Sequence, residues 1–305
     1  MAALIVRDLG GLAPLAEVME SMTQLAELTT NTALAFLHRQ LAGQYGEPLD
    51  RQGQPQRLIV VGMGKLGGRE LNVSSDVDFI FIYPEDGETA GVPAGEGQAR
   101  RAGRKIEAYE FFVRLGKRLI AMLDEITGDG RVFRVDMRLR PNGDAGPLVC
   151  SFVSLENYLI TQGREWERYA WIRARILNTG ENHQPHWTEM LEKIVRPFIY
   201  RKYLDFGAIN AMRDLHAQIR REVVRKDRAD HIKLGPGGIR EIEFIAQVFQ
   251  LIRGGRDGAL QVRPTLTVLA RLIERCLLSP EGGNELLAAY AFLRSEEHTS
   301  ELQSR

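Results

Sequence analysis

Apolar residues Leu15, Val18, Met19, Met22, Leu25 and Leu28 recur at three- and four-residue intervals, which predicts helix within residues 12–46. The Gly-, Pro- and Gln-rich stretch at 46–56 predicts a loop. Leu58, Ile59, Val60 and Val61 form a short unbroken apolar run that stops at Gly62, the mark of a buried strand, and Phe79–Tyr83 is a second such run. Residues 84–99 are rich in Gly, Pro, Glu and Asp and predict a mobile loop. Tyr109, Phe112, Val113, Gly116, Leu119, Ile120, Leu123 and Ile126 mark a long helix, and Val132–Leu139 reads as a third strand. From Ser151 the pattern is helical throughout to Leu293, most cleanly at Ile239, Ile242, Ile245, Phe249 and Ile252. Strands first and helices afterwards predict an α+β chain: a helical segment at 1–50, a small α/β unit at 51–149 and an all-helical domain at 150–293. Residues 294–305 abandon the apolar period, and the string resembles a translated sequencing adapter. It is expected to be a non-native tail.

Composition narrows the function classes. The chain has 305 residues and balances 40 Lys and Arg against 40 Asp and Glu, which argues against nucleic-acid binding by wholesale phosphate neutralisation. Cys150 and Cys276 are too few for a disulfide framework and lack metal-ligand spacing, so a reducing cytoplasm is expected. No run approaches the ~18 apolar residues of a membrane span, and the first residues lack the pattern of a signal peptide. The expected partners therefore include neither nucleic acid nor membrane.

Gly62-x-Gly64-x-x-Gly67 directly after a strand has the form of a dinucleotide fingerprint. Only eight residues, Arg69 to Asp76, precede the next strand, too few for the crossover helix that such a fold requires. A Walker A loop fails as well, because Arg69-Glu70 follows Gly68. What remains is a Gly-rich turn into one or two helical turns, whose N–H groups and neighbouring Lys65 suit a phosphate.

Asp76 and Asp78 stand at i and i+2 at the opening of the second strand, on one face. In the third strand, alternation puts Arg134, Asp136, Arg138 and Arg140 on one face. If Asp136 approaches Asp76 and Asp78, three carboxylates share one site. Like charges at that distance need a proton or a cation, and all-oxygen ligands suit Mg²⁺ or Mn²⁺. The arginines then suit phosphate oxygens. Taken alone, Asp-x-Asp also reads as a turn after Ser74-Ser75, with Asp136 simply paired to its arginines. The full order resembles the nucleotidyltransferase fold of the DNA polymerase β type. A Gly-rich turn follows one strand, Asp-x-Asp opens a second, and a lone Asp sits on a third. That resemblance implies a mixed sheet and two metal ions held by the acids.

Three long motifs carry a closer resemblance: Gly62–Asp78 (GMGKLGGRELNVSSDVD), Phe133–Pro141 (FRVDMRLRP) and Ile232–Phe244 (IKLGPGGIREIEF). They resemble the bifunctional glutamine synthetase adenylyltransferase/adenylyl-removing enzymes. Gly143–Val149 and Gln162–Ala170 resemble the adenylyl-removing half, since Trp166-Glu167-Arg168-Tyr169 stands where the adenylylating half has Trp-Glu-His-Gln. The resemblance implies that AMP is removed from a tyrosine of glutamine synthetase by inorganic phosphate, releasing ADP, under control of a PII signalling protein. It implies Asp76, Asp78 and Asp136 as metal-binding catalytic residues. Gly64, Lys65, Gly67, Ser75, Arg138 and Arg140 are then the phosphate or nucleotide ligands. Lys65 stands where many members of the wider fold have a serine.

The competing readings are the adenylylating half, which would use ATP, and a degenerate nucleotidyltransferase acting as a regulatory module. An intact acidic triad speaks against the latter. Trp166 and Trp171 read as helix packing, and 213–228 as a solvated helix face. Gly235–Gly238 reads as a break between helices, and Arg240, Glu241 and Glu243 receive no role.

Overall fold

The two unbroken apolar runs become the centre of a mixed five-stranded sheet in the computed structural model of the chain. Residues 12–92, 104–180, 184–201, 232–233 and 235–303 are described, with 4, 6, 7 and 10 besides; for 298–303 this holds for the backbone alone. Strand β1 (Ile59–Gly62) pairs antiparallel with β2 (Val77–Tyr83), Ile59 opposite Ile82 and Gly62 opposite Phe79. Parallel to β2 lie β3 (Val135–Asp136) and β4 (Val149–Ser151), and β5 (Arg175–Ile176) lies antiparallel to β1.

Both faces of this sheet are covered, which is why β1 and β2 are apolar without alternation. Leu58, Val60, Phe79 and Phe81 pack on one side, within the same core as the buried faces of α1 (Leu15–Tyr45) and α3 (Ala108–Asp124). Ile59, Val61, Ile80 and Ile82 pack on the other side, with α4 (Phe152–Thr161), α5 (Glu165–Ile172) and α6 (Pro185–Ile199). Gly62 leads into a single helical turn, α2 (Gly64–Gly67), within the length the sequence allowed. A third core, with Ile239, Ile242, Leu260, Val268 and Leu272, joins α7 (Ile239–Arg253), α8 (Thr265–Glu274) and α9 (Pro280–Gln303).

Four features depart from the sequence pattern. The third strand is two residues long rather than eight, because the chain turns immediately after Met137. Arg140 N–H bonds to Met137 O at 3.2 Å, Gly143 N–H to Arg140 O at 2.8 Å, and Asn142 is left-handed at φ 61°. Pro141-Asn142-Gly143 is turn chemistry that overrides the alternation. The run after Ser151 is not wholly helical, since β5 returns to complete the sheet and ties 175–176 to the α/β unit. The near part of the expected mobile loop is pinned, Leu49 N–H to Glu88 O at 3.0 Å and Thr89 N–H to Ile106 O at 2.9 Å. Finally, α9 runs through position 293 without a break, and Arg294 and Glu297, in the segment set apart from the sequence, are buried.

Residues 93–99 of the predicted loop and the whole of the basic stretch 213–228 lie outside the described residues. Gly238 caps the start of α7, as the Gly-rich break predicts for that side. Among the described residues, no helix is long and apolar enough to cross a membrane.

Candidate active site

The end of β1, the opening of β2 and the start of β3 meet at one rim of the sheet. Met63 N–H bonds to Asp78 O at 2.9 Å and fixes the Gly-rich turn against β2. Gly64 has φ +53°, and a Cβ there would stand 2.8 Å from Asp78 Oδ2. Only glycine satisfies both conditions. Asp78 is in register with Asp136 across the parallel β2–β3 pair, and Asp76 precedes β2 by one residue. Burial, then Asp136, then Asp76 push the Asp78 carboxyl up to about 6. Asp136 moves the other way: Arg138 donates to it through Nε at 2.8 Å and through its backbone N–H at 2.8 Å, holding the carboxyl below the usual range. Asp76 accepts from Arg134 Nε.

These three carboxylates open onto a cleft of about 570 Å³. Gly64, Lys65, Ser75 and Arg138 also line it, so the structure brings together most of the expected ligands. Two stand elsewhere. Gly67 is buried, and a Cβ there would fall 1.9 Å from Arg173 O and 2.5 Å from Gly62 O, so its glycine is a packing requirement. Arg140 turns back with the 137–143 turn, donating to Met137 O at 2.7 Å and to Asp144 at 3.3 Å. Lys65 reaches the cleft, but its Nζ lies 3.0 Å from Glu297 Oε2 and 3.4 Å from Ser75 Oγ. Burial and then the nearby Arg294 charge lower its pKa.

The opposite wall was not anticipated. Trp166 of α5 is 39% exposed and faces the cleft, whereas Trp171 is buried in the core as expected. Tyr169 stacks on Phe244 of α7, with ring centroids 5.5 Å apart and planes 9° apart, and both line the cleft. Arg240, Phe244 and Gln247 follow one another at helical spacing on the cleft side of α7.

Behind this wall lies a buried ionic network. Arg173 holds Glu70 at 3.0 Å and Glu243 at 3.2 Å. Tyr290 OH lies 3.3 Å from Glu70 and 3.2 Å from Glu243. Arg294 donates to the Glu70 carbonyl at 2.5 Å. The sequence signal for these residues was present but mute: Glu70 and Glu243 sit inside the long motifs, yet their partners are far along the chain.

Three carboxylates this close are a donor set for a hard divalent cation, and burial together with their mutual repulsion raises the Asp78 pKa. They fit such an ion by chemistry. Their geometry is not an assembled cage: among the described residues, no group of three acidic, His or Cys side chains is arranged to hold a metal. Arg134 pairs with Asp76 and Arg138 with Asp136.

The glutamate-ammonia ligase adenylyltransferase family matches residues 1–190, well over half of the chain. The chain belongs to this adenylyltransferase family. A second family, GlnD PII-uridylyltransferase, matches residues 213–304. Three curated relatives carry the name bifunctional glutamine synthetase adenylyltransferase/adenylyl-removing enzyme. The protein of Aromatoleum aromaticum is 62% identical over 294 residues, covering 96% of this chain and 30% of the relative. That of Chromobacterium violaceum is 60% identical, covering 98% and 31%. That of Nitrosomonas europaea is 57% identical, covering 97% and 31%. The chain thus spans about a third of the length of the relatives it matches.

Proposed function

We propose that this chain carries the adenylyl-removing site of its family. It takes AMP from an adenylylated tyrosine of glutamine synthetase by phosphorolysis, yielding ADP and the free tyrosine, in control of nitrogen assimilation. The observation that carries the reading is the convergence of Asp76, Asp78 and Asp136 beside the Gly64 turn, in one cation-rich cleft. The choice of half rests on Trp166-Glu167-Arg168-Tyr169. Trp166 and Tyr169 line the cleft, while Glu167 accepts from Tyr158 OH at 2.8 Å and Arg168 donates to Ile199 O at 2.8 Å. Two of the four residues by which the chain resembles the adenylyl-removing half therefore stand in the cleft wall.

In this reading an oxygen of inorganic phosphate forms the new bond to the AMP phosphorus, and the bond from phosphorus to the tyrosyl oxygen breaks. Asp76, Asp78 and Asp136 would hold Mg²⁺ or Mn²⁺, two ions by analogy with the fold, which supply charge stabilisation at the phosphoryl group. The attacking phosphate is already anionic and needs no strong base, and no histidine among the described residues lines the cleft. The departing phenol has a pKa near ~10, a tolerable leaving group once its charge is supported. The remaining work is positioning and charge stabilisation by the cleft's cations. A PII protein as regulator accords with the uridylyltransferase-family match, and a cytoplasmic setting accords with two free cysteines.

The test supplies adenylylated glutamine synthetase, Mg²⁺ and inorganic phosphate, and assays ADP. Phosphate-dependent ADP is the expected result. Pyrophosphate release from ATP in its place assigns the adenylylating half. Asp136→Asn is expected to keep the fold and abolish ADP formation, because it removes one charge from the triad without changing its shape. Turnover that survives in that variant overturns the three-carboxylate site.

A further inference from the structure

Among the described residues, six cations line the cleft, and five of them already hold a carboxylate. Lys65 and Lys233 hold Glu297 at 3.0 and 3.6 Å, Arg134 holds Asp76, and Arg138 holds Asp136 at 2.5 Å. Arg173 holds Glu70 and Glu243. Arg240 is the exception. It is exposed on the cleft side of α7, and among the described residues no carboxylate or hydrogen-bond acceptor engages its side chain. Arg134 and Arg138 become available only when their aspartates turn to another cation, whereas Arg240 is available as it stands. One turn further along α7, Phe244 and its stacked partner Tyr169 offer flat apolar surface beside it. An exposed guanidinium one helical turn from an aromatic pair, in a cleft that three acids also line, suits a ligand that is anionic at one end and planar at the other.

We infer that Arg240 is a phosphate-binding residue of this cleft, gripping a phosphoryl group of the nucleotide or the free phosphate that reacts with it. The inference rests on the nucleotidyltransferase reading above and adds to it a residue on the helical wall, outside the acidic triad and the Gly-rich turn. The planar fork of Arg240 can donate two parallel hydrogen bonds to phosphate oxygens, which the point charge of a lysine does not reproduce.

The test is calorimetric titration of the full chain with ADP, adenosine and inorganic phosphate, with Mg²⁺ present. Arg240→Gln removes the charge from an exposed side chain that no described residue pairs with, so its melting temperature is expected to match the parent chain. The expected result is ADP binding weakened about tenfold or more, the size of one charge-assisted contact, with adenosine binding unchanged. Arg240→Lys is expected to recover part of the loss. A loss confined to the inorganic phosphate titration identifies free phosphate as the anion held and supports the same chemistry. Equal affinities of parent and Arg240→Gln for both ADP and phosphate overturn the inference. A parent chain that binds neither overturns it together with the nucleotidyltransferase reading. Weakened ADP binding in a chain that forms no ADP from adenylylated glutamine synthetase keeps the inference and overturns the phosphorolysis.

Discussion

Burial and two neighbouring carboxylates hold Asp78 at about 6, well above the ordinary aspartate value near 4. An unfolded chain gives up this proton first, so stability falls as pH rises from about 4 through about 6 and stays lower above that. The rise from the ordinary value corresponds to about 3 kcal/mol, an upper figure because the site remains open to water on its cleft side. Asp78→Asn cannot ionise and removes this loss. The variant is expected to melt above the parent at pH 8 without added metal, and level with it at pH 4. Added Mg²⁺ at pH 8 is expected to raise the parent and leave the variant unmoved. A melting difference equal at both pH values would mean that the carboxylate is not under this pressure. The acids were legible from sequence because Asp76 and Asp78 flank the first residue of β2 and Asp136 lies in β3, where strand pattern fixes direction. Arg240 and Glu243 were not, because what defines them is the set of partners they have or lack, and Glu243 meets Arg173 only across 70 positions of chain.

Among the elements, α2 shows how little chain the site rests on. It is four residues long, and it packs so tightly that the Gly67 position lies against Arg173 O and Gly62 O. Gly67→Ala must push α2 away from the end of α5 and from β1, and backbone atoms are on the receiving side. A loss of about 2–3 kcal/mol is expected in urea unfolding, in the range of overpacked cores. A change below about 0.5 kcal/mol would restore Gly67 as a candidate phosphate contact. The strands divide in legibility for a physical reason. β1 and β2 were readable because two covered faces demand an unbroken apolar run. β5 was not, because two residues, Arg175 and Ile176, carry no pattern of their own and become a strand only by pairing with Gly62 and Val61. β3 was overread because its Arg-x-Asp-x-Arg alternation continues into a turn that Pro141 and Gly143 dictate.

At the scale of the molecule, the cleft has two walls from distant parts of the chain, and α9 braces them from behind. Arg294 is fully buried and bonds to the Glu70 carbonyl, just past the Gly-rich turn, while Glu297 accepts from Lys65, from Arg294 at 2.6 Å and from Asn72 at 3.2 Å. Burial alone would favour a neutral Glu297, but Lys65 and Arg294 keep its carboxyl below the usual range. One acid therefore answers the fully buried Arg294 and the cleft lysines Lys65 and Lys233, and removing it leaves the buried guanidinium without its paired carboxylate. Glu297→Ala is expected to cost about 3 kcal/mol in urea unfolding, the size typical of breaking a buried ion pair from one side. Glu296→Ala, one residue away and on the exposed face, is expected to leave the unfolding midpoint unchanged. The comparison decides whether the end of α9 belongs to the working fold. A tail that merely trails from residue 293 would make the two substitutions equally silent, and Lys65 would then be free to serve a phosphate as the Gly-rich turn first implied.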